Sequence, residues 1–397
     1  MQFKEVIGQS EVKQQLAELV EHNRLGHALL FLGKEGSGAL PLAMAFAQYI
    51  VSSPQSSTRS SDLFGEASTA PAVFIHPDQI VSQPAWQRAN ELVHPDLHFS
   101  YPVIPKKSGD KPVSTDYISE WREFVKSYPY GNIYDWLQFI GAENKQGNIT
   151  AHECNDIIRK LNLKTFESVY KVLVMWMPEY LGNEGNKLLK LIEEPPANTL
   201  FLLVAENESL ILPTILSRTQ LIKVPLLSKE EIANALQERA KVTADQARQI
   251  ASVCEGNYRE ALQLVQHAEE DWQSLLRNWL NTIMKTGPVS QVKWIEETSK
   301  LGREKQKQFL RYFGHLLEQA IRLQAIGDAG LSIPDNEKDF ALRLNKIAGF
   351  GQQQAIIKEL DNAVYYIERN ANAKLLFHAL TIKIYHIIAN QQVVEIV

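Results

Sequence analysis

The sequence is poor in cysteine and has no long apolar run. Its two cysteines, Cys154 and Cys254, lie 100 residues apart and form no C-x-x-C pair, which excludes a disulfide framework and a cysteine-rich zinc site. No run of about 18 apolar residues occurs, and the N-terminal stretch MQFKEVIGQSEV lacks the apolar core of a signal peptide. We therefore expect a protein of the reducing cytoplasm without a membrane-spanning segment.

The chain also lacks a strong excess of either charge. Its 397 residues carry a formal net charge of -5, which argues against a dominant basic surface, so any contact with DNA would come from a local patch or from partners. A composition of 45% hydrophobic and 22% charged residues is that of an ordinary globular protein. This length is enough for two or three domains.

A glycine-rich turn follows the first buried apolar run. The run LLFL (29–32) predicts a strand, the turn GKEGSG (33–38) follows it, and an amphipathic helix extends to about Ser52. Gly33 and Gly38 have the spacing of the phosphate-binding motif G-x-x-x-x-G-K-[ST], with Gly36 between them. The alternative is a glycine turn that only packs a strand closely against a helix.

The charged half of this motif is missing. Ala39 and Leu40 stand where the motif has the lysine that meets the phosphates and the hydroxyl that meets magnesium. A later apolar strand ends in Trp176 and Met177, where P-loop ATPases carry acidic residues. Without these groups nothing offsets the desolvation of a triphosphate, so we expect no nucleotide cofactor.

The remaining pattern is that of a parallel sheet followed by helices. Largely apolar runs at 170–177, 199–206 and 220–226 predict three more strands, since parallel strands covered on both faces are nearly continuous apolar runs. The pair Thr150 and Glu153 has the capping-box spacing and predicts a helix from 151 to 161. The segment GNKLLKLIEEPP (185–196), between the runs at 170–177 and 199–206, predicts another helix. From Ser228 onward the periodic segments are helical, and the tail QVVEIV is the last strand candidate.

Residues 53–148 interrupt this alternation. Serine, proline and threonine are frequent at 52–72 and 102–116, which predicts an irregular insertion with short helices around Trp86 and Trp121. Aromatic and basic residues alternate there, so stacking on single-stranded DNA and packing of a local core both remain open. The residues are Trp86, Tyr101, Trp121, Tyr128, Tyr130, Tyr134 and Trp136, with Lys106, Lys107, Lys111, Arg122 and Lys126.

Several motifs give the sequence a family resemblance. They are LLKLIEEPP (188–196), FLL (201–203), PTILSRT (213–219) and QLIKVPL (220–226), together with VIGQSEVKQQL (6–16), GHALLFLGKEGSGALPLA (26–43) and HPDLHF (94–99). The sequence resembles the clamp-loader branch of the AAA+ ATPases, and within it the delta prime subunits of bacterial DNA polymerase III. The resemblance covers residues 1–52, 94–99 and 150–268, and beyond residue 270 only the helical character agrees.

The resemblance implies three domains and a role in an assembly. The domains would be an AAA+-like α/β domain at 1–226 with the insertion at about 53–148, a helical lid at 227–270, and a helical collar at 271–397. The chain would be a non-catalytic subunit of the complex that loads the sliding clamp onto primed DNA. Its direct partners would be ATPase subunits of the gamma or tau type and a delta subunit. It would meet the clamp and the DNA through the complex, and it would have no membrane partner.

The resemblance also assigns the site residues. Family ATPases have lysine and threonine at Ala39 and Leu40, and aspartate and glutamate at Trp176 and Met177, so the departures from the motif agree with one another. Family ATPases also have a polar sensor residue, threonine or asparagine, around Ala205.

The Ser-Arg-Cys motif of the family is retained as Ser217, Arg218 and Thr219. Its arginine reaches the ATP site of the neighbouring subunit as an arginine finger. For Arg218, the alternative is a solvated arginine at a helix end that pairs with Glu206 or Glu208.

The other residues that could bind a nucleotide or a metal are expected to have no ligand. Arg259, in GNYREAL (256–262), stands at the second sensor position of the lid, and without a nucleotide we expect an ordinary surface arginine. Many family members bind zinc through four cysteines after the P-loop helix, which this chain lacks, so no metal site is predicted. His76, His94 and His98 are expected to be loop residues.

Two other functional classes remain possible from the sequence. An independent ATPase is disfavoured by Ala39, Leu40, Trp176 and Met177, and nucleotide titration would identify it. A stand-alone AAA+-like DNA-binding regulator is disfavoured by the acidic net charge, and would show salt-sensitive DNA binding without a partner.

Overall fold

The structure is a computed structural model that describes residues 1–22, 24–53, 77–107, 109–142, 145–266, 272–326, 335–369 and 371–390. The chain forms two compact units, Met1–Val265 and Gln266–Val397. The predicted separation of a lid from the α/β domain at residue 226 remains a proposal. We call residues 227–266 the lid segment. The tail QVVEIV and His76 lie outside the described residues.

A parallel sheet of five strands forms the centre of the first unit's described part. The strands lie in the order β2-β3-β4-β1-β5, and every neighbouring pair is parallel. Their bounds are β1 Ala28–Leu32, β2 Leu97–Ser100, β3 Lys171–Trp176, β4 Thr199–Ala205 and β5 Gln220–Lys223. The predicted α/β class and its four strands are therefore confirmed.

The edge strand β2 lies inside the segment predicted as an irregular insertion. Leu97 pairs with Val172 and Ser100 with Met175, so the prediction for 53–148 is wrong at these residues. The reason is physical: an edge strand is short, and this one alternates apolar Leu97 and Phe99 with polar His98 and Ser100. It lacks the continuous apolar run of a strand that is buried on both faces.

Helices cover both faces of the sheet. Along β1, Leu29 and Phe31 join one hydrophobic core, while Ala28 and Leu30 join a second core on the opposite face, as the period of two in a strand requires. The helices of the first unit are α1 Ser10–Glu21, α2 Ala39–Ser52, α3 Pro84–Asn90, α4 Ile118–Ser127, α5 Ile133–Phe139, α6 Ala151–Leu161, α7 Leu189–Glu193, α8 Pro213–Leu216, α9 Lys229–Ala235, α10 Ala244–Val253 and α11 Tyr258–Gln266.

Two of these elements differ in detail from the predictions. Thr150 caps α6 by accepting a hydrogen bond from the Glu153 backbone, but the Glu153 side chain is buried and accepts hydrogen bonds from Ser114 instead. Burial raises the pKa of the Glu153 carboxyl. Of the helix predicted from GNKLLKLIEEPP, only Leu189–Glu193 is α-helical, as α7, because a 3-10 segment at Pro178–Leu188 precedes it.

The aromatic residues of the segment predicted as an insertion pack a core. Trp121 and Trp136 are fully buried, and the Tyr101 ring stacks on Trp121 at a centroid distance of 4.1 Å. Trp176, at the end of β3, lies 5.3 Å from the Trp121 ring centre. Of the two interpretations left open by the sequence, the structure therefore favours core packing for these aromatic residues, while Tyr128 is 49% exposed.

The second unit is helical throughout its described part. A separate hydrophobic core joins its helices, and the rings of Trp279 and Trp294 stack within it at 4.8 Å. The helices are α12 Trp272–Asn281, α13 Pro288–Thr298, α14 Arg303–Ile326, α15 Asp335–Ile347, α16 Phe350–Glu368 and α17 Ala373–Asn390. Among the described residues, no helix has the length and apolarity needed to cross a membrane.

Candidate functional site

The glycine-rich turn has the backbone of a phosphate loop. It leads from β1 into α2, and the backbone of Gly36 and of Gly38 is left-handed, with φ of 72° and 91°. Glycine adopts this conformation without steric cost. The strand, loop and helix predicted from the sequence are therefore in place.

The positions that would meet phosphate and magnesium are apolar and buried. Ala39 and Leu40 begin α2 with exposures of 7% and 5%. At the end of β3, Trp176 is buried in the aromatic core and Met177 is buried beside it. Ala205, at the expected sensor position, is buried at the end of β4. Ala39, Leu40, Trp176 and Ala205 line one cavity, and their side chains offer neither an oxygen ligand to magnesium nor a charged donor to a phosphate.

One carboxylate near these strand ends was not identified from the sequence. Glu179 lies two residues after Met177, and its Oε1 accepts hydrogen bonds from the backbone N–H groups of Glu206 and Asn207, at 2.6 and 2.9 Å. Burial raises the pKa of Glu179. The Glu179 side chain thus connects the end of β3 to the end of β4, which is a structural role. To bind a metal ion, the carboxylate would have to give up these hydrogen bonds.

Little space is left above the phosphate loop. The cavity there has a volume of about 30 Å³, and its lining includes Trp176, Tyr130 and the acidic Glu35 and Glu206. Pockets for small molecules usually measure about 300–1,000 Å³. A triphosphate would therefore meet a lack of room, and the lining carries two carboxylates, of Glu35 and Glu206, against one ammonium group, of Lys34.

Tyr130 covers the start of α2. A Cβ built on Gly38 would lie 3.1 Å from the Tyr130 ring, and the Tyr130 hydroxyl accepts a hydrogen bond from the Ile7 backbone at 2.8 Å. The ring also contacts Tyr258 of the lid segment at a centroid distance of 4.9 Å. An aromatic side chain thus occupies the helix N-terminus, where an anion would otherwise bind.

Arg259 is buried against the same loop, so its predicted role as a surface arginine is wrong. It is 5% exposed. Its Nη1 donates to Glu35 Oε1 at 3.0 Å and its Nη2 to Asp135 Oδ1 at 2.6 Å. Glu35 also accepts hydrogen bonds from Asn132 and Asn257, at 2.9 and 3.1 Å. We call Glu35, Asp135 and Arg259 the loop–lid cluster.

Arg218 differs from the buried Arg259, because its side chain is about one-third exposed at the protein surface. It follows α8, and its Nη1 donates to the Thr214 carbonyl at 2.8 Å and to Ser217 Oγ at 3.1 Å. Its Nη2 pairs with Glu193, the last residue of α7. The partner is therefore Glu193 rather than Glu206 or Glu208, because the ends of α7 and α8 lie side by side.

The remaining candidates for ligands are placed as follows. His94 is buried beside Glu167, and burial lowers the pKa of His98 to about 4. Cys154 and Cys254 are buried free thiols. Within the described ranges, no group of three or more histidine, cysteine, aspartate or glutamate side chains is arranged to hold a metal ion.

Comparison with known proteins gives a family match. The family described as "DNA polymerase III, delta subunit" matches residues 8–228, which is more than half of the chain. DNA polymerase III subunit delta' of Bacillus subtilis (strain 168) is 24% identical over 266 residues, covering 66% of this chain and 60% of that protein. Subunit tau of the same organism is 28% identical over 173 residues, covering 42% of this chain and 30% of that protein. The chain thus spans less than two thirds of the length of either relative.

Solved structures are also similar. A DNA polymerase III gamma subunit-related protein from Thermotoga maritima has a TM-score of 0.38 and 15% identity, with 93% of this chain and 97% of that chain covered. The DNA clamp loader delta protein of Bacillus subtilis has a TM-score of 0.25 and 12% identity, with 76% and 98% covered. The family match confirms the resemblance predicted from the motifs, and with the parallel sheet it confirms the AAA+-like fold class.

Proposed function

Because the chain belongs to the DNA polymerase III delta-subunit family, we propose that it is a non-catalytic, delta prime-type subunit of a clamp loader. The observation that carries the proposal is a contrast between two sites. The phosphate loop is closed by the protein's own side chains, whereas Arg218 stands partly exposed at a helix end. The chain would contribute an arginine to a reaction whose nucleotide is bound by another subunit.

Arg218 would act on the ATP site of a neighbouring subunit of the gamma or tau type. Its guanidinium is a planar donor with a permanent charge, which suits the oxygens of a transferring phosphoryl group. Ser217 would help to orient it, since Ser217 Oγ lies 3.1 Å from Nη1. The ion pair with Glu193 lies at the surface and is worth only about 0–1 kcal/mol, so its release would cost little.

The helical second unit would hold the subunit in the assembly as part of a collar. Its described surface carries large apolar side chains, including Val289 at 84%, Leu375 at 69% and Ile382 at 55% exposure. Exposed apolar surface of this kind supports a contact with other subunits. The other partners would be a delta subunit and, through the complex, the sliding clamp and primed DNA, so the protein would work in the cytoplasm.

Reconstitution tests this proposal. Mixed with a gamma-type ATPase subunit and a delta subunit, the full chain should enter one defined complex, measured by native mass spectrometry. That complex should load sliding clamps onto primed DNA. We expect loading to fall by at least about tenfold when this chain is left out, because one ATP site would lack its arginine and the ring would lack a member.

A fragment ending at Gln266 is the matched control. It keeps the sheet and the lid segment but loses the helical unit, and we expect it not to join the complex. A full chain that stays apart from the other subunits would contradict the proposed function. A fragment that joins with the affinity of the full chain would contradict only the role of the helical unit.

A further inference from the structure

The lid segment lies directly on the phosphate loop. The Tyr258 backbone donates a hydrogen bond to the Gly36 carbonyl at 3.3 Å. A Cβ on Gly36 would lie 2.0 Å from Asn257 Oδ1, so even one added carbon would collide with the lid segment. The loop and the start of α11 therefore pack against each other without an intervening ligand-sized gap.

The loop–lid cluster joins parts of the chain that are far apart in sequence. Arg259 is separated by 224 residues from Glu35 and by 124 residues from Asp135. Its side chain is 6% exposed, and those of Glu35 and Asp135 are 21% and 20% exposed. Because the pairs are largely removed from water, they are screened less by salt than pairs at the surface.

Each carboxylate is fixed on its own element. Asp135 belongs to the capping box of α5, in which its backbone donates to Asn132 Oδ1 at 2.9 Å and its side chain accepts from the Asn132 backbone at 3.0 Å. Glu35 is held between the side-chain amides of Asn132 and Asn257. The guanidinium of Arg259 can donate to both carboxylates at once because its N–H groups form a planar fork.

We propose that the loop–lid cluster is a latch that keeps the lid segment closed on the phosphate loop without nucleotide. Glu35 belongs to the phosphate loop itself, and its carboxylate forms one ion pair with Arg259. The carboxylate of Asp135 forms the second ion pair. The position of the lid segment is then set by the sequence and does not respond to a ligand. This inference does not depend on the role proposed for Arg218.

Hydrogen–deuterium exchange of the isolated full chain tests the latch. Arg259→Ala should make the amides of residues 33–38 and 257–266 exchange at least about tenfold faster, since local opening would no longer break the two ion pairs. Amides of β3 and β4 should keep their wild-type rates. Millimolar Mg-ATP should leave the exchange of the wild-type chain unchanged.

Two further variants separate the latch from a loss of folding. Arg248→Ala removes an arginine of the lid segment whose side chain is 71% exposed, and it should leave exchange in the loop unchanged. The double variant Glu35→Gln, Asp135→Asn keeps the shape of both side chains and removes their charge, so it should open the loop as Arg259→Ala does. Wild-type exchange at 33–38 in either Arg259→Ala or the double variant would overturn the proposal. So would protection of these amides by Mg-ATP.

Discussion

Replacing Arg218 by alanine should leave the reconstituted complex assembled and reduce its DNA-stimulated ATP hydrolysis at the adjacent site by at least about tenfold. A tenfold loss corresponds to about 1.4 kcal/mol of transition-state stabilisation. Arginine fingers in other phosphoryl-transfer enzymes contribute about 10³ to 10⁵ in rate, so the loss could be much larger. The measurement is single-turnover ATP hydrolysis by the complex, with assembly checked by native mass spectrometry.

Three variants show whether the guanidinium itself is responsible. Arg218→Lys should fail almost as badly as Arg218→Ala, because an ammonium group cannot reproduce the planar donor geometry. Glu193→Ala removes the same intrachain ion pair but keeps the arginine, and it should hydrolyse ATP at nearly the wild-type rate. Arg159→Ala removes an exposed arginine of α6 and should have no effect. Wild-type hydrolysis in an assembled Arg218→Ala complex would make Arg218 an ordinary surface residue.

Replacing Trp121 by alanine should lower the free energy of unfolding of the first unit by about 3–5 kcal/mol, the range for buried tryptophan or phenylalanine. Trp121 is fully buried and contacts the rings of Tyr101, Trp136 and Trp176. Aromatic pairs of this kind add to the stabilisation from burial alone. Denaturation followed by circular dichroism measures the change.

Trp121→Phe is the matched control for this effect. Among the described residues the Trp121 indole N–H has no hydrogen-bond partner, so phenylalanine removes an unsatisfied donor while it keeps most of the apolar volume. We expect this variant to cost less than about 1.5 kcal/mol. A Trp121→Ala protein as stable as the wild type would show that the aromatic residues do not form the core of this unit.

The sheet could be predicted where burial dictates the sequence. Strands β1, β3 and β4 are covered on both faces, so their sequences are apolar apart from the first residues of β3 and β4, Lys171 and Thr199, and the prediction of these strands is confirmed. The edge strand β2 alternates polar and apolar residues over four positions, which a sequence pattern cannot separate from an irregular segment.

Only those features of the site that are formed by residues close together in the sequence could be predicted. The strand, the glycine turn and the apolar replacements at Ala39, Leu40 and Trp176 are visible in the sequence. The burial of Arg259 is not, because it depends on Glu35 and Asp135, which lie more than 100 residues away along the chain. The pairing of Arg218 with Glu193 depends in the same way on how two short helices pack.

Calorimetric titration of the isolated full chain with Mg-ATP tests most directly whether this subunit works without a nucleotide of its own. We expect no binding heat at millimolar ATP, because the loop is closed by Tyr130 and the loop–lid cluster and has Ala39 in place of the motif's lysine. The double variant Ala39→Lys, Leu40→Thr should still show no turnover, since Trp176 and Met177 offer magnesium no carboxylate. A micromolar dissociation constant for the wild-type chain would contradict the proposed function.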